Sequence, residues 1–143
     1  MMDRLIEILT TTGCSLVVES HGEVTTYNKK GVRDLIWLLD NEPQRLCGAR
    51  VADKVVGKAS AGLMARAGVR ELYAQVLSRL AQPILDDAKI AYTYGSLVDR
   101  IVIPDGDTRC PLEKIVAPAS TPAQVESLLR EHFADMQRQR ENT

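Results

Sequence analysis

Two lysines four residues apart, Lys54 and Lys58, are the residues whose types and spacing most suggest a binding site. Asp53 precedes them and is placed to cap a helix over about 54–67, because its carboxylate can accept from the free amides of the first turn. In that helix both lysines share one face near the N-terminus, where the helix dipole disfavours cations. A phosphate or carboxylate would offset this cost, and Gly57 would let it approach the backbone. We therefore expect Asp53, Lys54, Gly57 and Lys58 to bind a small anion, with Asp53 orienting the lysines or acting as a base.

A simpler interpretation of the same stretch needs no ligand. Asp53 and Lys54 can form a local ion pair, with the lysines otherwise solvated, which predicts nothing about binding. The interior of the predicted helix is also unusual, because Gly57 and Gly62 each cost roughly 1 kcal/mol relative to alanine. Glycines are tolerated in a helix where another group must approach closely. In the first interpretation that group is the anion near Gly57, and in the second it is unidentified.

A second candidate group surrounds Cys110 and Glu113. Pro111 suits the first position of a short helix, which places Cys110 at the N-cap. The helix dipole there lowers the pKa of a thiol, so Cys110 is the best candidate nucleophile, although an unpaired cysteine is commonly just a small buried residue. Glu113, three residues later, is expected to cap the same turn or to act as an acid or base.

Motifs for the common enzyme chemistries are absent from the sequence. There is no Gly-x-Gly-x-x-Gly, phosphate-loop Gly-Lys-Ser/Thr, Gly-x-Ser-x-Gly or His-Glu-x-x-His, which excludes nucleotide and serine hydrolysis by the common routes. His21 and His132 fall at a predicted hairpin tip and in a terminal helix, which are ordinary surface positions for histidine. We expect neither a cofactor nor a metal site.

The composition fits one α/β domain. The 143 residues match about one domain at roughly 150 residues each. Eighteen Lys and Arg against nineteen Asp and Glu give a net charge of −1, so no basic excess is available for duplex nucleic acid. No segment approaches the ~18 apolar residues of a membrane span, and three cysteines without Cys-x-x-Cys spacing are typical of a reducing compartment. We expect a cytoplasmic protein that binds neither duplex nucleic acid nor a membrane.

Hydrophobic spacing predicts the elements that must position these residues. Helical and strand-like patterns alternate, and the connections between later strands are short enough for right-handed βαβ crossovers. The expected order is a helix before residue 13, a hairpin of strands 15–19 and 24–27, a helix ending near 41, helix 54–67, strand 69–77, helix 78–88 and strand 90–94. This order predicts a mixed sheet with helices on its faces.

A final amphipathic helix is expected near the C-terminus. Thr121 and Gln124 have the spacing of a capping box, and Pro122 lies at the first helical position. An apolar stripe follows at helical spacing. We therefore predict a domain over residues 1–118 and a C-terminal helix within residues 119–143 that docks on it.

Four stretches of the chain resemble a small uncharacterised prokaryotic family assigned to the cytidine deaminase-like superfamily; they are residues 15–18, 51–59, 68–69 and 110–113. The similarity covers about residues 5–116 and implies a three-layer α/β/α fold, here with an extra C-terminal helix. Zinc deaminases hold their metal with a His-x-Glu and a Pro-Cys-x-x-Cys motif. Neither motif is present, so the resemblance does not imply zinc-dependent deamination.

Taken together, the sequence favours a zinc-less, deaminase-like protein that binds a small anionic or nucleotide-like ligand at the N-terminus of the central helix. Two alternatives stay open. One is a thiol-dependent enzyme that uses Cys110 together with Glu113 and Asp53. The other is a non-catalytic interaction module, or a homodimer, with a vestigial pocket.

Overall fold

The computed structural model describes residues 2–29, 32–101 and 111–142. Within them lie six α-helices, five strands and two short 3₁₀ turns, Pro43–Arg45 and Arg79–Ala81. The helices are α1 Met2–Thr12, α2 Arg33–Asn41, α3 Lys58–Ala67, α4 Gln82–Asp87, α5 Pro111–Val116 and α6 Pro122–Glu141. The strands are β1 Leu16–Ser20, β2 Glu23–Tyr27, β3 Arg50–Val56, β4 Glu71–Ser78 and β5 Ala91–Val98. None of the helices in the described ranges is long and apolar enough to cross a membrane.

The five strands form one mixed sheet in the order β2-β1-β3-β4-β5. The hairpin of β1 and β2 is confirmed, and His21 and Gly22 form its turn, both with positive φ. β1 also pairs antiparallel with β3, whereas β3, β4 and β5 run parallel. The helices α3 and α4 supply the two crossover connections that parallel strands require.

The prediction that a helix capped by Asp53 starts at about residue 54 was wrong, because residues 50–56 form the central strand β3. Asp53 therefore caps no helix, and Lys54 lies outside α3. The residues Val51, Ala52 and Val56 are fully buried, as expected for a central strand covered on both faces. Hydrogen bonding of this stretch to β1 and β4 outweighed the local tendency of Asp53 to cap a helix.

The helix that follows begins later than expected and ends where expected. Gly57 is the N-cap of α3, without a side-chain hydrogen bond at that cap. Gly68 ends the helix with a φ of 80°, in the left-handed conformation that glycine adopts readily. The predicted helix over 78–88 is shorter as well, because β4 continues to Ser78 and α4 begins at Gln82.

Helices cover both faces of the sheet, as the sequence analysis predicted. On one face, Leu5 and Leu9 of α1 pack with Val17 and Ala52. The larger core lies on the opposite face, where the other helices pack against residues of β1, β3 and β4 that alternate with the first set.

The long helix α6 packs on α3, with Val125 and Leu129 fully buried. Its predicted start is confirmed: the hydroxyl of Thr121 accepts from the amide of Gln124 at 3.2 Å, and Pro122 occupies the first turn. Charged groups on the surface add an ion pair between Arg130 and Asp40 of α2.

Thr121→Ala is expected to lower the free energy of unfolding by about 1 kcal/mol, because it removes the side-chain acceptor at the start of α6. Thr121→Ser keeps the acceptor and serves as the matched control. Urea denaturation of the two variants and the wild type measures the difference. Equal stability of Thr121→Ala and Thr121→Ser would contradict the cap.

Candidate functional site

A cavity of about 330 Å³ opens where β3 ends and α3 begins. This is the carboxyl end of a parallel strand, the usual position of ligand sites in open α/β sheets. Apolar side chains form most of its wall. The polar side chains around it are Ser15, Asp53, Lys54, Ser60 and Glu113.

Asp53 brings a buried carboxyl group to this cavity from β3, with only 8% of the residue exposed. Burial raises the pKa of Asp53 to about 7, Asp34 adds to the increase, and the nearby backbone N–H groups of Val55 and Lys54 oppose it. The protonated and ionised forms therefore coexist near neutral pH, so the group is able to donate or accept a proton there.

Glu113 reaches the same cavity from α5 and is 3% exposed. Its Oε2 accepts from the backbone N–H of Ile101 at 3.1 Å, whereas its buried Oε1 has no hydrogen-bond partner among the described residues. The free Oε1 lies beside the start of α3, since a Cβ placed on Gly57 would be 3.0 Å from it. Glu113 thus supplies a carboxyl group at the helix N-terminus, where a bound anion was expected from the sequence.

The two lysines do not form the predicted pair on one helix face, because Lys54 is in β3 and Lys58 in α3. The Nζ of Lys54 lies 3.4 Å from the carbonyl oxygen of Gly13, and the Nζ of Lys58 donates to the carbonyl oxygen of Ala117 at 3.0 Å. The cavity lining includes Lys54 and not Lys58, and the amine of Lys54 contacts the carbonyl oxygen of Gly13.

The predicted nucleophile, Cys110, lies outside the described residues, and its role stays a prediction. The short helix predicted to follow it is present as α5. Of the other cysteines, Cys14 is buried and Cys47 is exposed. The structure therefore brings Glu113 to Asp53, Lys54 and Gly57, and it does not test the thiol.

Sequence reasoning missed two groups of lining residues. Ser60 lies in the first turn of α3 and is buried, and its place among small residues was the available signal. Ile101 and Leu112 form apolar wall together with Val32. These three come from separate parts of the chain, and no local pattern joins them.

No group of three or more His, Cys, Asp or Glu side chains within the described ranges is arranged to hold a metal ion. The described residues that line the cavity offer two buried carboxyl groups, hydroxyls and an apolar wall, with Lys54 as the basic residue. Such a set can bind a small polar molecule and exchange a proton with it.

Comparisons with known proteins agree with the fold. A solved structure, that of a DUF1893 family protein (TM1506) from Thermotoga maritima, superimposes with a TM-score of 0.80 at 23% sequence identity. The match covers 94% of this chain and 88% of the other, and at this identity it shows a shared fold. Among curated proteins no significant match is found.

The model of one protein family, described as TM1506, a domain of unknown function (DUF1893), matches residues 4–133. This range includes the cavity and nearly all of the described elements. The chain therefore belongs to the DUF1893 (TM1506) family.

Proposed function

We propose that the protein binds a small nucleotide-like ligand in the cavity at the start of α3. The ring of the ligand enters the cavity, and its anionic part stays at the entrance near Lys54. The observation that carries the proposal is the buried Oε1 of Glu113, which has no hydrogen-bond partner in the part of the chain that the structure describes. A buried acceptor without a donor is unfavourable by about 1–3 kcal/mol or more, and a ligand N–H group would relieve that cost.

The size of the cavity supports a small ligand. Its volume of about 330 Å³ lies at the lower end of the ~300–1,000 Å³ typical of small-molecule sites. A single aromatic ring system with a few substituents fits such a volume. A complete nucleotide does not fit, and its phosphate would have to remain outside.

The charges inside the cavity decide which end of the ligand enters. Asp53 and Glu113 are both carboxyl groups, so a bare phosphate or carboxylate would face them without compensation. An amino or ring N–H group is a suitable partner for both. Lys54 is only partly buried and is the basic residue of the cavity lining. Its amine would leave the carbonyl oxygen of Gly13 to pair with a phosphate at the entrance. The anion site inferred from sequence is thus revised to an anionic group at the cavity entrance.

The proposal keeps the likeness to cytidine deaminase-like domains, which is supported by the order of helix, hairpin, helix, strand, helix, strand, helix and strand. It assigns no zinc chemistry. An enzymatic role is a second proposal, favoured by the pKa of about 7 of Asp53, which suits a general base at neutral pH. In that version Cys110 and Glu113 keep the catalytic roles inferred from sequence.

Thermal shift and calorimetry against nucleobases, nucleosides, nucleotides and sugar phosphates test the binding proposal. An amino-bearing base or its nucleotide is expected to stabilise the wild type, by ~2.7 kcal/mol at a ligand concentration of 100 Kd. Glu113→Ala is expected to weaken binding of both base and nucleotide. Lys54→Ala is expected to weaken only the phosphate-bearing ligand.

Lys58→Ala is the matched control, because Lys58 lies next to the site in sequence without lining the cavity. Its binding is expected to equal that of the wild type. Absence of any ligand-dependent stabilisation across the panel would overturn the proposal. So would binding that is unchanged in Glu113→Ala and lost in Lys58→Ala.

A further inference from the structure

We propose that two copies of this chain associate through β5, paired edge to edge and antiparallel around Tyr94. β5 is the last strand of the sheet and hydrogen-bonds to β4 alone among the described strands. Its outer backbone N–H and C=O groups therefore have no strand partner within the described part of the chain. A second copy of β5 offers the same groups in the reverse direction, as a two-fold axis requires.

The composition of β5 favours such pairing. Strands at a sheet edge are usually protected by charged residues, by proline or by shortness. The eight residues Ala91–Val98 contain no charged residue and no proline. The opposite edge, β2, has five residues and begins with Glu23, so β5 is the edge that is open to pairing.

Tyr94 is the residue on which the two-fold axis is placed. It is a large side chain with 43% of its surface exposed. When Tyr94 of one copy lies opposite Tyr94 of the other, Thr93 lies opposite Gly95 of the other copy and Tyr92 lies opposite Ser96. Aromatic side chains directly across two strands stabilise the pairing. This register thus covers the exposed ring with a matching one.

Charges at the two ends of β5 favour the same antiparallel arrangement. Lys89 lies in the turn before the strand, with a φ of 59°, and Asp99 follows the strand, so pairing around Tyr94 brings the Lys89 end of one copy to the Asp99 end of the other. The side chain of Asp99 is 91% exposed and forms an ion pair with Arg79. Its exposed surface leaves room for a second cation.

Sedimentation equilibrium of the full chain over a range of concentrations tests this proposal. The wild type is expected to change from a monomer of 15.8 kDa to twice that mass. Tyr94→Lys places two lysines opposite each other and is expected to weaken association at least tenfold, with an unchanged circular dichroism spectrum. Thr26→Lys, at an exposed position of β2, adds the same charge at the other edge and is expected to leave the association unchanged.

If Tyr94→Lys fails to fold, an exchange of charges at the two ends of β5 tests the dimer instead. Lys89→Glu and Asp99→Lys are each expected to weaken the dimer, and the double variant to restore it. A wild type that stays monomeric overturns the proposal. A dimer that persists in folded Tyr94→Lys, that dissociates in Thr26→Lys, or that is not restored by the double exchange overturns it too.

Discussion

Gly62→Ala is expected to destabilise the protein by about 1–3 kcal/mol, the range typical of an overpacked core, although alanine is the better helix former by ~1 kcal/mol. The reason is the contact between α3 and α6. A Cβ at position 62 would lie 2.5 Å from Cγ1 and 2.7 Å from Cβ of Val125. Both helices are held by further buried residues, so neither can move away without opening the core.

Urea denaturation of Gly62→Ala, Val125→Ala and the double variant measures this coupling. Val125→Ala alone is expected to destabilise the protein by leaving a cavity. The double variant is expected to be more stable than the sum of the two single effects predicts, because the new methyl group fills the space left by valine. A Gly62→Ala protein more stable than the wild type would contradict the close approach of α6.

The wild type is expected to lose stability between about pH 4 and pH 8, and Asp53→Asn is expected to abolish most of this loss. In the folded protein the pKa of Asp53 is raised from 3.8 to about 7, so the folded state retains a proton that the unfolded state releases near pH 4. The stabilisation from this group is therefore complete below about pH 4 and is lost as the pH rises through about 7. At 1.36 kcal/mol per pKa unit, the loss approaches ~4 kcal/mol.

Denaturation midpoints measured from pH 4 to pH 8 check this expectation. The wild type is expected to become less stable across the range, whereas Asn, which resembles the protonated carboxyl, keeps a nearly constant midpoint. A smaller decline will remain because burial also raises the pKa of Asp34. Glu126→Gln is the control: Arg66 and Arg130 lower the pKa of Glu126 from 4.5, so its contribution changes only below about pH 4.5, and this variant is expected to keep the decline of the wild type. A wild type whose stability rises from pH 4 to pH 8 would contradict the burial of Asp53.

Elements with local signals were predictable from the sequence. The start of α6 follows from Thr121 and Pro122, the end of α3 from Gly68, and the hairpin from the short polar turn at His21 and Gly22. In each case the residues that specify the structure are neighbours in the chain. The sequence therefore contained enough information to place these elements within a few residues.

The central strand was not predictable in the same way. Asp53 has the chemistry of a helix cap, and the small residues after it extend a helical pattern. What makes 50–56 a strand is hydrogen bonding to β1 and β4, and these partners are distant in sequence. Local propensity is a weak indicator where pairing on both sides decides the structure.

The candidate site was predictable only in part: its residues could be identified from the sequence, but their arrangement could not. Asp53, Lys54, Gly57 and Glu113 were identified from sequence, and all four line one cavity. Their arrangement was not predicted correctly, because the approach of Glu113 to Gly57 is a contact between distant segments. Gly62 is a similar case, because the group that approaches it closely is Val125 of the distant helix α6 and not a ligand.

The position of α6 over α3 has a consequence for how the chain folds. The helix in the middle of the chain is covered by the last one, with Arg66 paired to Glu126 at 2.9 Å. Contacts that close so long a loop carry a large entropy cost, because closure comes before any gain from the contact. A form of the chain that had assembled the sheet without α6 would expose the buried face of α3 to water. Leu112 and Glu113 of α5 line the cavity, so the wall of the cavity is complete only when α5 has docked.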